Sequence, residues 1–310
     1  MTVPRAQPAA ATTVGALVRH GTRLFQRAQI AFGHGFASAH DEATYLTLHA
    51  LKLPPRRVSP ERKVAAPDAA RVLILFERRV GERKPVAYLT REAWLGTRRF
   101  YVDERVIVPR SYIAELLFDE DLPFWPSAND VRSALDLCTG SGCLAVLLAQ
   151  RYRGARVDAA DLSPDALAVA NINVRRHRLQ RRIQLMQSNY FSALRRRRYD
   201  VIVCNPPYVR SAVMRALPRE YAGEPALALA AGADGLDALR EILREASHHL
   251  NAGGMLVVEC GHARARVERA WPRLPFVWAE TSGGDDCVFF LTREELPAQP
   301  AMRSHNRTKK

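Results

Sequence analysis

Asn205-Pro206-Pro207-Tyr208 follows directly on the apolar run Tyr199-Asp200-Val201-Ile202-Val203-Cys204, and these four residues could methylate a planar nitrogen. An amide or exocyclic amino nitrogen is a poor nucleophile because its lone pair is delocalised. A protein that is to methylate such a nitrogen must hold it by its hydrogens and aim the lone pair at a methyl donor. The side-chain oxygen of Asn205 can accept one hydrogen. Two successive prolines hold φ near about −65° and carry no N–H, so the Pro206 carbonyl points in one direction and is free to accept another. The Tyr208 ring can pack against the flat target group. Taken alone, the same four residues also suit a turn that ends a strand, where Asn and Pro are common.

A second constellation lies upstream. Val131 to Cys138 reads as a buried strand running into Thr139-Gly140-Ser141-Gly142-Cys143-Leu144-Ala145 and then the helical stretch Val146-Leu147-Leu148. Gly140 permits a tight turn, Gly142 allows a ligand close to the backbone, and the small Ala145 lets the helix pack on the strand. A strand over Arg156-Val157-Asp158-Ala159-Ala160 follows, with Asp161 at its end, 21 residues beyond Gly140. A carboxylate there can accept both hydroxyl hydrogens of a ribose. Ser163 and Pro164 supply the cap and first turn of the next helix, Asp165 to about Arg176. This unit suits either a dinucleotide or S-adenosylmethionine. Asn205 to Tyr208, at the carboxyl end of the fourth strand, decides between them, because hydride transfer has no evident use for that tetrapeptide. The expected fold is therefore α/β: a class I S-adenosylmethionine-dependent methyltransferase, Rossmann-like, with a seven-stranded mostly parallel sheet and a small N-terminal helical domain.

The elements that position these residues can be followed along the chain. Residues 1–12 read as a flexible leader and 13–84 as a helical, substrate-recognition domain, with helices near 13–31 and 40–52 and another ending at Gly81. Arg5, Arg19, Arg23 and Arg27 precede the first acidic residue, Asp41, as in a transit peptide, but Val14, Leu17, Val18, Leu24 and Phe25 recur at helical spacing and favour a folded helix. A β-hairpin connector is predicted over 85–108, pairing Val86 to Leu89 with Phe100 to Val102 around Gly96. The catalytic domain spans 109–293, with later strands at Ile183 to Gln187, Gly254 to Cys260, and an antiparallel pair, Phe276 to Ala279 and Cys287 to Leu291, at the sheet edge. A basic flexible tail occupies 294–310. His248-His249 reads as the cationic last turn of a helix.

Composition narrows the partners. No run of 18 apolar residues occurs, so no membrane span is expected. Cys138, Cys143, Cys204, Cys260 and Cys287 show no C-x-x-C spacing and read as small core residues in a reducing compartment, with no metal site. The expected setting is the cytoplasm of a bacterial-type cell. The net charge is +14, and with lysine only at 52, 63, 84, 309 and 310, 41 of the 46 basic residues are arginine. Arg175 to Arg182 and Arg195 to Arg198 concentrate that charge in one βαβ region and suggest a face for RNA phosphates.

Lys84-Pro85-Val86-Ala87-Tyr88-Leu89, Val108-Pro109-Arg110-Ser111, Asp136-Leu137-Cys138-Thr139-Gly140-Ser141-Gly142, Asn205-Pro206-Pro207-Tyr208, Glu224-Pro225-Ala226-Leu227 and Gly232-Ala233-Asp234-Gly235-Leu236 together resemble the N5-glutamine methyltransferases of the translation apparatus, over about residues 60–292. Within that group the resemblance is nearer to the branch acting on large-subunit ribosomal protein three than to the release-factor branch, which usually has Pro-Arg-Pro-Glu-Thr-Glu where this chain has Pro109-Arg110-Ser111-Tyr112-Ile113-Ala114-Glu115. Tyr112 stands where the former often has proline, and Asn189 where the family commonly has Asp. The resemblance implies that Asp136, Thr139, Gly140, Ser141 and Gly142 hold the methionine part of S-adenosylmethionine, Asp161 the ribose, and Asn189 with Tyr190 the adenine. Asn205, Pro206, Pro207 and Tyr208 would form the catalytic set. The implied partners are ribosomal protein three and, through the arginine clusters, ribosomal RNA. Competing readings are the release-factor enzyme, an adenine-N6 methyltransferase of nucleic acid, and a non-enzymatic ribosome assembly factor.

Overall fold

Short N-terminal helices bury one face each against their neighbours. A computed structural model describes residues 12–54, 58–119, 122 and 125–297, so the predicted leader, apart from Thr12, and most of the predicted tail lie outside the described residues. Strand β1 (Thr12–Thr13) leads into α1 (Val14–Arg27), followed by α2 (Ala39–Ala50), β2 (Lys63–Val64), which pairs antiparallel with β1, and α3 (Ala66–Glu82). The Thr13 and Ser38 hydroxyls cap α1 and α2 by accepting from the backbone of Ala16 and Asp41. Val14, Leu17, Val18 and Phe25 of α1 pack with Leu46, Val72 and Phe76. Within this core Arg79 is fully buried, and its Nε and one Nη donate to the Glu42 carboxylate at 2.9 and 3.1 Å.

The connector departs from its predicted form. The pattern over Val86 to Leu89 predicts a strand, but the chain forms a helix there, α4 (Val86–Thr90). Pro85 at its N-cap has no N–H to leave unpaired, and Arg91 ends it in the left-handed region at φ 54°. All four residues from Val86 to Leu89 are buried, and such a continuous apolar run has no periodicity to separate helix from strand. The hairpin around Gly96 exists but is shorter, formed by β3 (Ala93–Leu95) and β4 (Arg98–Phe100). Val106 to Val108 lies outside any strand.

After α5 (Ile113–Phe118) come β5 (Ser133–Leu137), α6 (Cys143–Arg151), β6 (Arg156–Asp161), α7 (Pro164–Arg176), β7 (Ile183–Gln187), β8 (Tyr199–Cys204), α8 (Ser211–Met214), α9 (Asp237–Glu245), β9 (Leu250–Glu259), α10 (Arg264–Ala270), β10 (Val277–Thr281) and β11 (Gly284–Thr292). The seven longer strands make one sheet in the order β10-β11-β9-β8-β5-β6-β7, parallel except for β11, which runs antiparallel to both β9 and β10. The architecture is the α/β methyltransferase fold predicted. Ala134, Val201, Val203 and Val257 pack under α5 and α6, while Leu135, Leu137, Ile202 and Val258 face α9 and α10. Burial of both faces explains why the central strands read as continuous apolar runs. His249 is a correction: it is buried, stacks on Phe191 at 4.6 Å, and shares a hydrogen bond of 3.0 Å between Nδ1 and the Arg197 carbonyl. Burial pushes its pKa down, which favours a neutral core side chain over a cation at a helix end.

Candidate active site

β5, β6, β7 and β8 all end on one cleft. The chain leaves β5 toward β6 and β7 on one side of the sheet, whereas β8 lies on the other side of β5. That reversal of strand order opens a crevice at the carboxyl ends, where open α/β sheets bind ligands. Thr139, Gly140, Ser141, Asp161, Asn189, Tyr190, Asn205 and Pro207 all line it. The structure thus brings most of the predicted residues together, although three segments of chain separate them in sequence.

The loop after β5 is organised from below. Asp136 is buried and does not line the cleft; its Oδ2 accepts from the Thr139 hydroxyl at 2.5 Å and from the Ala145 backbone at 2.8 Å, so it fixes the loop against the first turn of α6. Desolvation raises its pKa to about 7, with Asp161 adding a like charge. Gly142, at φ +78°, also stays out of the cleft: a Cβ there would lie 3.0 Å from the Ala170 Cβ, so its small size serves the packing of the loop on α7. Gly140, at φ +53°, has open space where a Cβ would sit and is the glycine that can admit a ligand to the backbone. Cys138 and Tyr190 border the same cleft with φ of 61° and 46°, a left-handed conformation that costs each about 1–2 kcal/mol.

Asp161 ends β6 with both carboxylate oxygens held by backbone. Oδ2 accepts from Gly140 N–H at 2.8 Å and Oδ1 from Ser163 N–H at 2.9 Å. Each oxygen keeps a further lone pair, so an oriented carboxylate is available to a diol. Beside it, Leu162 is 45% exposed, and across the cleft Leu227 is 56% exposed. Two large apolar side chains left bare within one cleft are suited to the faces of a flat ring. Oriented carboxylate, open glycine and apolar walls together fit S-adenosylmethionine.

On the β8 side, Asn205 and Pro207 line the cleft while Pro206 is buried. Among the described residues no N–H or hydroxyl donates to the Asn205 side chain or to the Pro206 carbonyl. The loop is nevertheless fixed: Val209 N–H donates to the Leu229 carbonyl at 2.8 Å and Ala231 N–H to the Val209 carbonyl at 2.9 Å. Tyr208 lies outside the cleft lining, its ring against Gly261, where a Cβ would come within 2.9 Å. It buttresses the loop from behind, and burial raises its pKa.

The opposite wall is built from two segments far apart in the chain. Arg105 to Ile107 and Pro109 to Ser111 line the cleft together with Pro225, Leu227 and Ala228. Arg110 joins these two segments by a bidentate pair with Glu224, at 2.6 and 2.7 Å, and Val108 N–H donates to the same carboxylate at 2.9 Å. The Arg110 guanidinium, with His34 at 3.7 Å, outweighs desolvation and lowers the Glu224 pKa to about 2. Glu259, buried at the end of β9, accepts from Ser111 Oγ at 2.6 Å and Tyr112 N–H at 2.8 Å. A proline at 112 would lack that donor. Glu224-Pro225 was legible as a motif, but 114 residues separate it from Arg110, and no spacing rule links them.

A family profile described as methyltransferase small domain matches residues 123–217. The ribosomal protein uL3 glutamine methyltransferase of Neisseria gonorrhoeae is 52% identical over 287 residues, covering 92% of this chain and 96% of that protein. That of Bordetella pertussis is 52% identical over 286 residues, covering 92% and 96%. The Xylella fastidiosa enzyme of the same name is 45% identical over 297 residues, covering 94% of each. With identity at this level along nearly the whole chain, around a cleft of this construction, the protein belongs to the ribosomal protein uL3 glutamine methyltransferase family.

Proposed function

We propose that the protein methylates the side-chain amide nitrogen of a glutamine in ribosomal protein uL3, with Asn205 and the Pro206 carbonyl holding the amide hydrogens. The observation that carries this reading is the pair of acceptors left without donors at the end of β8, beside a cleft that fits the cofactor. S-adenosylmethionine, when bound, supplies an electrophilic methyl group on a sulfonium centre. Asp161 would hold its ribose hydroxyls, Gly140 and Ser141 its amino-acid part, and Asn189 and Tyr190 would border its adenine.

The chain's own contribution is orientation. Accepting both amide hydrogens fixes the plane of the glutamine amide and turns its nitrogen lone pair toward the methyl, which brings the reacting atoms into line. The same two oxygens face the positive charge that develops on that nitrogen and stabilise it more than the neutral amide. The N-methylated amide cation is strongly acidic and gives up its proton without a dedicated base. A glutamine side chain matches this geometry because it presents two hydrogens on one planar nitrogen.

The exposed arginines Arg175, Arg176, Arg178, Arg181, Arg195, Arg196 and Arg198 are the part of the basic region available to phosphates. Arg182 is spent internally, donating to the Ala149 and Ala155 carbonyls at 2.7 Å each, and Arg197 pairs with Asp158 at 2.6 Å. The proposed role of the remaining seven is to grip ribosomal RNA near uL3 on an assembling particle, in the cytoplasm. No helix among the described residues is long and apolar enough to cross a membrane.

The test is transfer of labelled methyl to purified uL3, to a release factor and to ribosomal RNA in parallel. Label in a uL3 peptide that carries N5-methylglutamine supports the proposal. Label confined to the release factor or the RNA overturns it. For the RNA contact, equal rates on free uL3 and on RNA-bound particles at every salt concentration would remove that part alone.

A further inference from the structure

Behind the Asn205 to Tyr208 loop, the turn after β9 meets the start of β11. His262 Nδ1 lies 2.9 Å from Asp286 Oδ1. Cys287 Sγ lies 3.5 Å from that same Nδ1 and 3.4 Å from that same Oδ1. The carbonyl of Gly283 approaches Sγ to 3.5 Å. The cysteine spacing predicts no metal site, but these ligands come from positions 24 residues apart, where spacing carries no signal.

Two features separate this cluster from an ordinary polar contact. The first is the count of hydrogens. The Asp286 carboxylate and the Gly283 carbonyl both converge on a thiol with one hydrogen, which can serve only one of them, and the His262 nitrogen stands at the same distance from the sulfur. A nucleophilic relay would use the two nitrogens of the imidazole for two different partners. Here one nitrogen faces both thiol and carboxylate, and the nitrogen, oxygen and sulfur atoms all lie within 4.8 Å of one another. The second is the spacing. Tetrahedral zinc, with Zn–S about 2.3 Å and Zn–N and Zn–O about 2.0 Å, sets N···O near about 3.3 Å and S···N and S···O near about 3.5 Å. The distances of 2.9, 3.5 and 3.4 Å lie within about 0.4 Å of that set.

We propose that His262, Asp286 and Cys287 bind a thiophilic divalent transition-metal ion of the zinc type, with the fourth position open to water. A mixed sulfur, nitrogen and oxygen donor set favours such an ion over calcium or magnesium, which take oxygen ligands. Binding displaces the thiol hydrogen as a proton to solvent and forms the metal–thiolate bond. His262 follows Gly261, on which the Tyr208 ring rests, and Gly283 packs against the Tyr112 ring. The ion would therefore tie together the two turns that buttress Tyr208 and Tyr112, and so stiffen the catalytic loop from outside the cleft.

The experiment uses untagged full-length protein freed of metal by chelation. It is titrated with Zn2+ by calorimetry and with Co2+ by absorption. The proposal requires one equivalent bound, a thiolate-to-cobalt charge-transfer band with the intense visible bands of tetrahedral Co2+, loss of that band in Cys287→Ser, and affinity at least about tenfold weaker in His262→Ala. The His262 side chain is 67% exposed, so its removal leaves the fold intact, and thermal unfolding of both variants checks this. Absence of binding, equal affinity in the variants, or a cobalt spectrum without the thiolate band, meaning an adventitious ion only, each overturns the proposal.

Discussion

The two halves of the cleft handle hydrogen bonding in opposite ways. At the ends of β5 and β6 both carboxylates are already held by the chain: Asp161 takes two backbone N–H groups, one on each oxygen, and Asp136 takes Thr139 and Ala145 on Oδ2, with its buried Oδ1 left unpaired among the described residues. At the end of β8, Asn205 and the Pro206 carbonyl accept from nothing among the described residues. The first half is a prearranged holder, oriented before any ligand arrives. The second is a pair of acceptors whose hydrogens must come from the substrate. An unmade hydrogen bond is costly when buried, so leaving these two open favours an amide that can supply both.

If this division is right, the largest effect belongs to the open half. Asn205→Ala should lower kcat by about 10²–10³-fold, the range found when one donor or acceptor that stabilises a transition state is removed, measured by initial rates of methyl transfer. Next comes the wall opposite, which the Arg110–Glu224 pair ties together. Glu224→Gln leaves Arg110 without its carboxylate and should cost about 3 kcal/mol of stability at neutral pH in denaturant titration. Because the Glu224 pKa is lowered from 4.5 to about 2 in the folded protein, its contribution is fully present above pH 4.5 and is lost as pH falls toward 2; the variant should lack that acid-limb dependence. In the prearranged half, Asp161→Ala should weaken cofactor binding by about 30-fold, or ~2 kcal/mol, by calorimetry, the scale of charge-assisted hydrogen bonds. The smallest effect concerns Glu259, whose pKa burial raises from 4.5 to about 7. The folded state then holds a proton that the unfolded chain has released, so stability declines as pH rises from 4.5 to about 7. Glu259→Gln should match the wild type near pH 5 and exceed it by about 1–2 kcal/mol near pH 8, read as the shift in Tm.

The same contrast separates what the sequence revealed from what it concealed. The β5 loop, Asp161 and the Asn-Pro-Pro-Tyr loop were legible because each is local: a strand, a turn and a helix start within a few residues, with types dictated by φ and by missing N–H groups. That Asp136 faces down toward Ala145 and Gly142 across to Ala170 is a matter of packing that spacing cannot show. Arg110 with Glu224, and Ser111 with Glu259, were hidden for a stronger reason. Each is one side-chain pair bridging more than a hundred residues, 114 and 148 respectively, and leaves no periodic trace. The helix at Val86–Thr90 was missed because a run buried on all sides has no polar face to mark its period.

The division of labour between the two halves is tested most directly by setting cofactor affinity beside single-turnover rate in Asn205→Ala and Asp161→Ala. Asn205→Ala should bind S-adenosylmethionine within about threefold of wild type while losing turnover even at saturating cofactor. Asp161→Ala should do the reverse, recovering most of its rate once cofactor saturates. If Asn205→Ala instead lost cofactor affinity in proportion to its rate, or kept its rate altogether, the acceptors at the end of β8 would not be what holds the glutamine amide.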